Sequence, residues 1–344
     1  MYGNALASQY SNVLNNGCRC VEIDLWDGDN DEPKVTHGFT LTDRLSFREA
    51  CQSINSSINS TDLPVIISLE NHASVKQQEV AVEIMKETFC DKLITKPLNN
   101  NHQPSIGELR GKIIVKVEYY PSSIQTLQEQ TEHLKLNNNK KVVDDDNSDK
   151  DHESDDEETR KERELRQNTK IIICNALSEL GIYACSVKPG KKQWWNDNER
   201  ISEPRNAVIN TSEIAMGKLL KSKDIFKDIR STTSNQLIRV YPHGMRIYSK
   251  NLDPLPLWRV GSQIVALNFQ VFDRGLQLNR ALFRNTNGYV LKPKNIRSKS
   301  ENEDNVKKNI ELTIHVYGAS DVPHSSGTET DKSFKSKFDS SLGN

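Results

Sequence analysis

Two carboxylates stand among apolar neighbours in the run "CVEIDLW", Cys20–Trp26. Strand side chains alternate in direction, so Val21, Ile23 and Leu25 share one face while Glu22 and Asp24 project together from the other. Like charges held side by side repel and resist burial without a partner, so a cation, a substrate or solvent must stand in front of them. A third carboxylate, Glu70, ends the apolar run "VIISLE". His37 ends "KVTH", Lys116 closes "KIIVK" and Arg239 closes "QLIR". Glu22, Asp24 and Glu70 are hard oxygen donors, suited to Ca²⁺ or Mg²⁺ rather than to a thiolate-seeking metal. Lys116 and Arg239 offer positive charge to phosphate, the arginine through a bidentate fork. His37 can move a proton near neutral pH. Metal ligands, a proton carrier and phosphate clamps together point to phosphoryl chemistry. Tyr241, two residues past Arg239 and on the same strand face, can stack on a ring-shaped substrate.

Each residue alone also has a plainer reading. His37 before Gly38 is a turn histidine, Glu70 before Asn71 and His72 opens a loop, Lys116 and Arg239 lie along a solvated edge, and Tyr241 is core. The set gains its force from common placement: all six charged residues or histidines lie toward the C-terminal ends of their strands. In (β/α) barrels that rim carries the active site.

The elements that must position them follow from periodicity. In the first part of the chain "CVEIDLW", "PKVTHG", "PVIISLEN" and "GKIIVKVE" read as strands bounded by Gly, Pro or Asp. Between them "LTDRLSFREACQSI" and "KQQEVAVEIMKETF" read as helices, with Thr42 as the expected cap of the first. Further on, "GIYACS", "SNQLIRVYP" and "SQIVALNFQ" read as strands and "SEIAMGKLLKS" as a helix. Strand–helix alternation over this length implies an α/β fold, either a parallel sheet or a (β/α) barrel.

The chain has 344 residues, enough for one large domain or two smaller ones. A formal net charge of −1 excludes a global attraction to nucleic acid and leaves anionic surfaces to local basic patches. The six cysteines (Cys18, Cys20, Cys51, Cys90, Cys174 and Cys185) match no zinc spacing and read as reduced thiols, favouring a cytosolic setting. No apolar run is long enough to span a bilayer and residues 1–16 lack a signal-peptide core, so any membrane is met from the water side. From about Ser122 to Asn168 the sequence is polar, and "DDDNSDKDHESDDEE" (Asp144–Glu158) is nearly all acid. Such a run cannot bury enough apolar surface to fold and reads as a solvated linker. "KPKNIRSKSENEDNVKKN" (Lys292–Asn309) reads as a second linker. The tail "IELTIHVYGASDVP" (Ile310–Pro323) has the alternation of the first strand of a β-sandwich.

Taken together, "GCRCVEIDLWDG", "VTHGFTLT", "VIISLENH" and "GKIIVKV" resemble the X region of eukaryotic phosphoinositide-specific phospholipase C, of fungal type. "LIRVYPHGMRIYSKNLDPLPLWRVGSQIVALNFQ" and "GYVLKP" resemble its Y region. The resemblance implies a distorted TIM-like (β/α) barrel formed by residues 1–120 and 171–293, interrupted by an acidic linker over 121–170. A linker over 294–309 and the start of a C2 β-sandwich over 310–344 follow. It implies Ca²⁺-dependent hydrolysis of phosphatidylinositol 4,5-bisphosphate to diacylglycerol and inositol trisphosphate by a cytoplasmic protein peripherally associated with phosphoinositide membranes. Glu22, Asp24 and Glu70 correspond to calcium ligands, one of the carboxylates also taking the proton of the inositol 2-hydroxyl. His37 corresponds to a catalytic histidine. Lys116, Asn210 and Arg239 correspond to ring-phosphate or substrate contacts, and Tyr241 to the residue that packs on the inositol ring.

The chain also departs from the family pattern. A "S-H-N-T-Y" strand, which brings a histidine and an asparagine to the site in the family, is not in the sequence, and a partial chain lacking one barrel strand is expected. Glu118 stands where the family has the second lysine of "K-x-K", which weakens the expected ring-phosphate contacts, and Asn210 stands where it has a serine. Two readings therefore stay open: a phospholipase C, or a catalytically inactive relative that binds inositol phosphates or membranes. A metal-free diesterase acting on plain phosphatidylinositol is disfavoured, because its chemistry places cations where this site has acids.

Overall fold

A computed structural model describes residues 6–36, 45–99, 103–118, 173–189, 193–196, 201, 206–243 and 249–297, with four single positions beyond residue 310. The chain divides into two compact units, Met1–Ser300 and Glu301–Asn344. In the second unit only Glu311, Thr313, His315 and Gly318 are described, all exposed and in no strand. The expected sandwich strand otherwise lies outside the described residues, as does the acidic segment Asp144–Glu158.

Among the described residues of the first unit nine strands form one sheet: β1 (Cys20–Trp26), β2 (Lys34–Val35), β3 (Leu45–Ser46), β4 (Val65–Asn71), β5 (Ile113–Glu118), β6 (Cys185–Val187), β7 (Ala207–Ser212), β8 (Leu237–Tyr241) and β9 (Ile264–Val265). Their order is β3-β2-β1-β4-β5-β6-β7-β8-β9. From β1 onward every pairing is parallel. The exception is the β2–β3 edge, where β2 runs antiparallel to β1 through Leu25↔Val35 and Trp26↔Lys34. Residues 27–33 are too few for the crossover of a dozen or more residues that a parallel return needs. Lys34–Val35 therefore folds back rather than adding to the parallel series.

Apart from a smaller cluster on the inner face, where Ile66, Ile114 and Val208 precede Ser68, Lys116 and Asn210 by two residues, the hydrophobic core lies outside the curved sheet. Val21, Ile23 and Leu25 are buried there against the helix Phe47–Ser56 (α2), whose Phe47, Ala50, Cys51 and Ile54 form one helical stripe, and against the helix Val75–Phe89 (α3). Full burial of a side chain such as Phe47 or Ile54 stabilises by roughly 1.5–3 kcal/mol. The first of these helices begins later than expected. Leu45 and Ser46 are held extended by pairing with β2, so Ser46 takes the N-cap position, and Thr42 lies outside the described residues.

Parallel partners share a face, and the register therefore fixes the inner lining. Asp24 lies beside Glu70 and Glu22 beside Ser68. Ser68 lies beside Lys116, Glu118 beside Ser186, and Asn210 beside Arg239. The sheet curls until its distant members meet: Arg239 on β8 pairs with Glu22 on β1. The end of the unit closes on its beginning as well, the Tyr289 hydroxyl donating to the Pro64 carbonyl at 3.0 Å. Gly288, at φ +78, lets the chain pass against the Gly17 carbonyl and the Arg19 side chain, where a Cβ would collide with both.

Three further differences from the sequence reading concern the second half. Ala207–Ser212 is a strand, although the polar "NTS" breaks its apolar run; Asn210 and Ser212 share the inward face of Arg239 and Tyr241, and Thr211 is buried on the other. Conversely "SQIVALNFQ" holds only a two-residue strand. Asn251 binds the Asn268 and Val271 carbonyls and turns the chain away from the sheet. Lys292, read as linker, donates to the carbonyls of Thr233 and Gly261, and Lys294–Arg297 forms a helical turn.

Candidate active site

The first turn after β1 is fixed by Gln77 on α3, whose amide accepts from the Gly28 N–H at 2.8 Å and donates to the Gly28 carbonyl at 2.9 Å. Asp27 accepts from both the backbone N–H and the hydroxyl of Ser74 at 2.9 Å. The end of β1 is thereby anchored to the start of α3, which immediately follows β4. The two strands that carry acids are held in one register.

Each of Glu22, Asp24 and Glu70 offers a carboxylate oxygen, and these atoms lie within 4.8 Å of one another. Two oxygens bound to one calcium at ~2.4 Å each can be at most ~4.8 Å apart, so the trio can converge on a single ion of that size. The donors are all anionic oxygens, the chemistry a hard divalent cation selects. The side chains of Glu22 and Glu70 are 42% and 45% exposed, which leaves the cluster open at the barrel mouth.

His72 is a member of this site that the sequence reading placed in a loop. Its Nε2 lies 3.0 Å from Glu70 Oε1, and its ring stacks on Trp26 at 4.3 Å between centroids and 16° between planes. The signal was present as "ENH", since a residue two positions past Glu70 on an extended chain returns to the same face.

Across the barrel the lining is cationic. Arg239, buried, donates to Asn210 Oδ1 at 3.0 Å and pairs with Glu22, and its guanidinium sits 5.7 Å from the Tyr241 ring centre. Burial pulls its pKa downward, opposed by Cys20 and Tyr241. Lys116 is buried on β5; burial lowers its pKa, opposed by Cys20, Glu118 and Glu70, and the charge of Lys188 lowers it further. The structure thus gathers Glu22, Asp24 and Glu70 on one side and Lys116, Asn210, Arg239 and Tyr241 on the other. His37 lies outside the described residues. The charged residues were expected at strand ends, yet Glu22, Lys116 and Arg239 stand mid-strand, because each strand runs on past them to Trp26, Glu118 or Tyr241.

Comparison with known proteins places this arrangement. Residues 1–119 match phosphatidylinositol-specific phospholipase C, X domain, and residues 177–295 match its Y domain. The chain is 32% identical over 327 residues to 1-phosphatidylinositol 4,5-bisphosphate phosphodiesterase delta-3-A of Danio rerio, covering 91% of this chain and 39% of that one. It is 37% identical over 330 residues to 1-phosphatidylinositol 4,5-bisphosphate phosphodiesterase 1 of Candida albicans, covering 86% and 29%. The crystal structure of PLC21 from S. officinalis superposes with a TM-score of 0.67 at 28% identity, covering 88% of this chain and 36% of that one. The chain belongs to the phosphatidylinositol-specific phospholipase C family, and its fold is the distorted (β/α) barrel of that family's solved members. It spans well under half the length of these two curated relatives.

Proposed function

We propose that the chain carries the catalytic barrel of a calcium-dependent phosphoinositide phospholipase C, hydrolysing phosphatidylinositol 4,5-bisphosphate to diacylglycerol and inositol 1,4,5-trisphosphate. The observation that carries this reading is the division of one barrel mouth into a carboxylate side on β1 and β4 and a cationic side on β5 to β8. The curated relatives are named as 4,5-bisphosphate phosphodiesterases, which agrees with it.

In this reading Lys116 and Arg239 hold ring phosphates, Asn210 orients the guanidinium and adds a hydrogen bond, and the Tyr241 ring packs on the inositol. With the ring so fixed, its 2-hydroxyl attacks the adjacent phosphorus, an intramolecular nucleophile that removes most of the orientation cost. A carboxylate of the Glu22/Glu70 pair takes the hydroxyl proton, diacylglycerol leaves, and water opens the resulting cyclic phosphodiester. His37 is the proton carrier for these steps. Calcium bound by Glu22, Asp24 and Glu70 would supply positive charge beside the phosphate and favour ionisation of the hydroxyl. Residues 1–120 and 171–293 are the two halves of the barrel, 121–170 and 294–309 connect, and 310–344 begin a C2 module. No helix among the described residues is long and apolar enough to cross a membrane. The substrate is met peripherally, from the cytoplasmic side.

The test is release of water-soluble inositol phosphate from vesicles containing phosphatidylinositol 4,5-bisphosphate. Release in Ca²⁺ that stops on chelation supports the enzyme. Binding of inositol 1,4,5-trisphosphate without any release in Ca²⁺ overturns it in favour of a non-catalytic inositol phosphate binder.

A further inference from the structure

The cationic side of the mouth has a gap. Lys116 is followed two residues later, on the same inward face, by Glu118, which brings negative charge to the part of the site that would face phosphate. The neighbouring strand answers it. Glu118 pairs with Ser186, and Lys188 follows Ser186 by two residues, so the extended chain carries it toward the same face. The β6–β7 register places Val187 opposite Ile209, so Lys188 follows at the level of Asn210. Lys188 therefore stands between the strand of Lys116 and Glu118 and the strand of Asn210, two strands from Arg239. It is exposed, and its charge acts on Lys116.

Resting on the phospholipase reading of this site, we propose that Lys188 is a third cation of the phosphate-binding arc, recognising a second ring phosphate and offsetting Glu118. Lysine suits the position. A compact ammonium on a flexible four-carbon stem can reach past the shorter glutamate, and it needs no planar geometry to engage a phosphate. Glu118 then has a defined effect. It raises the requirement that a ligand carry two ring phosphates, because one phosphate is held by Arg239 and Lys116 while the next is attracted by Lys188 against Glu118. The substrate class this arc selects is an inositol headgroup with at least two ring phosphates.

Calorimetric titration of the whole chain with inositol 1,4,5-trisphosphate, inositol 1,4-bisphosphate and inositol 1-phosphate separates the possibilities. Lys188→Gln is expected to weaken the trisphosphate about tenfold and the bisphosphate by less than about twofold, with Lys188→Arg retaining most of the affinity. Glu118→Gln is expected to tighten the trisphosphate by roughly threefold or more. Arg239→Ala should weaken both the trisphosphate and the bisphosphate. Wild-type binding that Arg239→Ala reduces but Lys188→Gln leaves unchanged, or reduces equally for both ligands, overturns the role of Lys188 alone. A wild-type chain that binds none of the three overturns the phospholipase reading together with it.

Discussion

Arg239 donates to the Glu22 carboxylate across the barrel, joining two residues 217 positions apart in the chain. The arginine side chain is 5% exposed and the glutamate 42%, so the pair has a buried cationic end and an open anionic end. Both partners also belong to the groups proposed to hold ligands: Glu22 with Asp24 and Glu70, Arg239 with Lys116 and Asn210. Cation and phosphate therefore each compete with a protein charge for their own ligand.

Arg239→Ala should consequently have opposite effects on the two ligands. Removing the guanidinium frees Glu22 and takes positive charge away from the carboxylates, so Ca²⁺ affinity is expected to rise by roughly threefold to tenfold. Affinity for inositol trisphosphate is expected to fall at least about tenfold. Calorimetry with each ligand alone checks both signs. A parallel fall in both would show that the substitution damages the fold rather than the pair.

Asp24→Asn removes one of the three carboxylates without changing side-chain volume. Saturating calcium stabilises a folded site by about 2.7 kcal/mol at a hundredfold excess over Kd. That increment should appear in the wild-type thermal midpoint, vanish on chelation, and be largely absent from Asp24→Asn at the same calcium concentration. Equal calcium shifts in both proteins would remove Asp24 from the ligand set.

Gln78 is fully buried on α3, accepting from the Cys174 N–H at 2.8 Å and donating to the Ala73 carbonyl at 2.8 Å. Gln78→Leu keeps the bulk and leaves both backbone groups unpaired, at a cost of roughly 2–4 kcal/mol for the two. A lowered urea midpoint with an unchanged slope is the expected result. A drop under about 0.5 kcal/mol would mean that the groups find other partners.

Asp273 caps the helix Arg274–Phe283 and accepts from the backbone and side chain of Asn251. Burial acts to raise its pKa, but the N–H groups of Asn251, Leu276 and Gly275 and the Asn251 amide hold it below the ordinary carboxylate value. With the folded pKa lowered, its stabilisation is fully present above the unfolded pKa and is lost as pH falls through the folded one. Asp273→Asn should therefore be less stable than wild type at neutral pH, by about 1 kcal/mol or less, and the gap should close as the pH drops below 4. Urea midpoints across that range give the measurement.

The acids of the site were legible because alternation alone sets Glu22 and Asp24 on the face opposite Val21, Ile23 and Leu25, and the structure shows that separation. Their convergence with Glu70 needed the β1–β4 register, which depends on helix packing and on the Gln77 clamp to Gly28. Arg239 was legible as a charge closing an apolar run, whereas its pairing with Glu22 required the curl of the sheet. The strand Ala207–Ser212 escaped notice because its second half, Asn210–Ser212, is polar throughout, and only the register with β8 places Asn210 beside Arg239. The antiparallel edge escaped because strand-like composition carries no direction; only the short connection over 27–33 does.

The joint between the halves has a further consequence. Tyr289 holds Pro64, Gln78 holds Cys174, β5 pairs with β6, and Arg239 meets Glu22, so described residues on either side of 119–172 are bound to each other at these four places and at others besides. With that many contacts across the division, the two halves are expected to associate even without the covalent connection between Glu118 and Ile173, which would add a raised local concentration. Two separately expressed polypeptides ending and starting in that interval should find each other and reassemble, and lengthening the interval should cost only about 0.6 kcal/mol per doubling. The barrel is in this sense a heterodimer written as one chain.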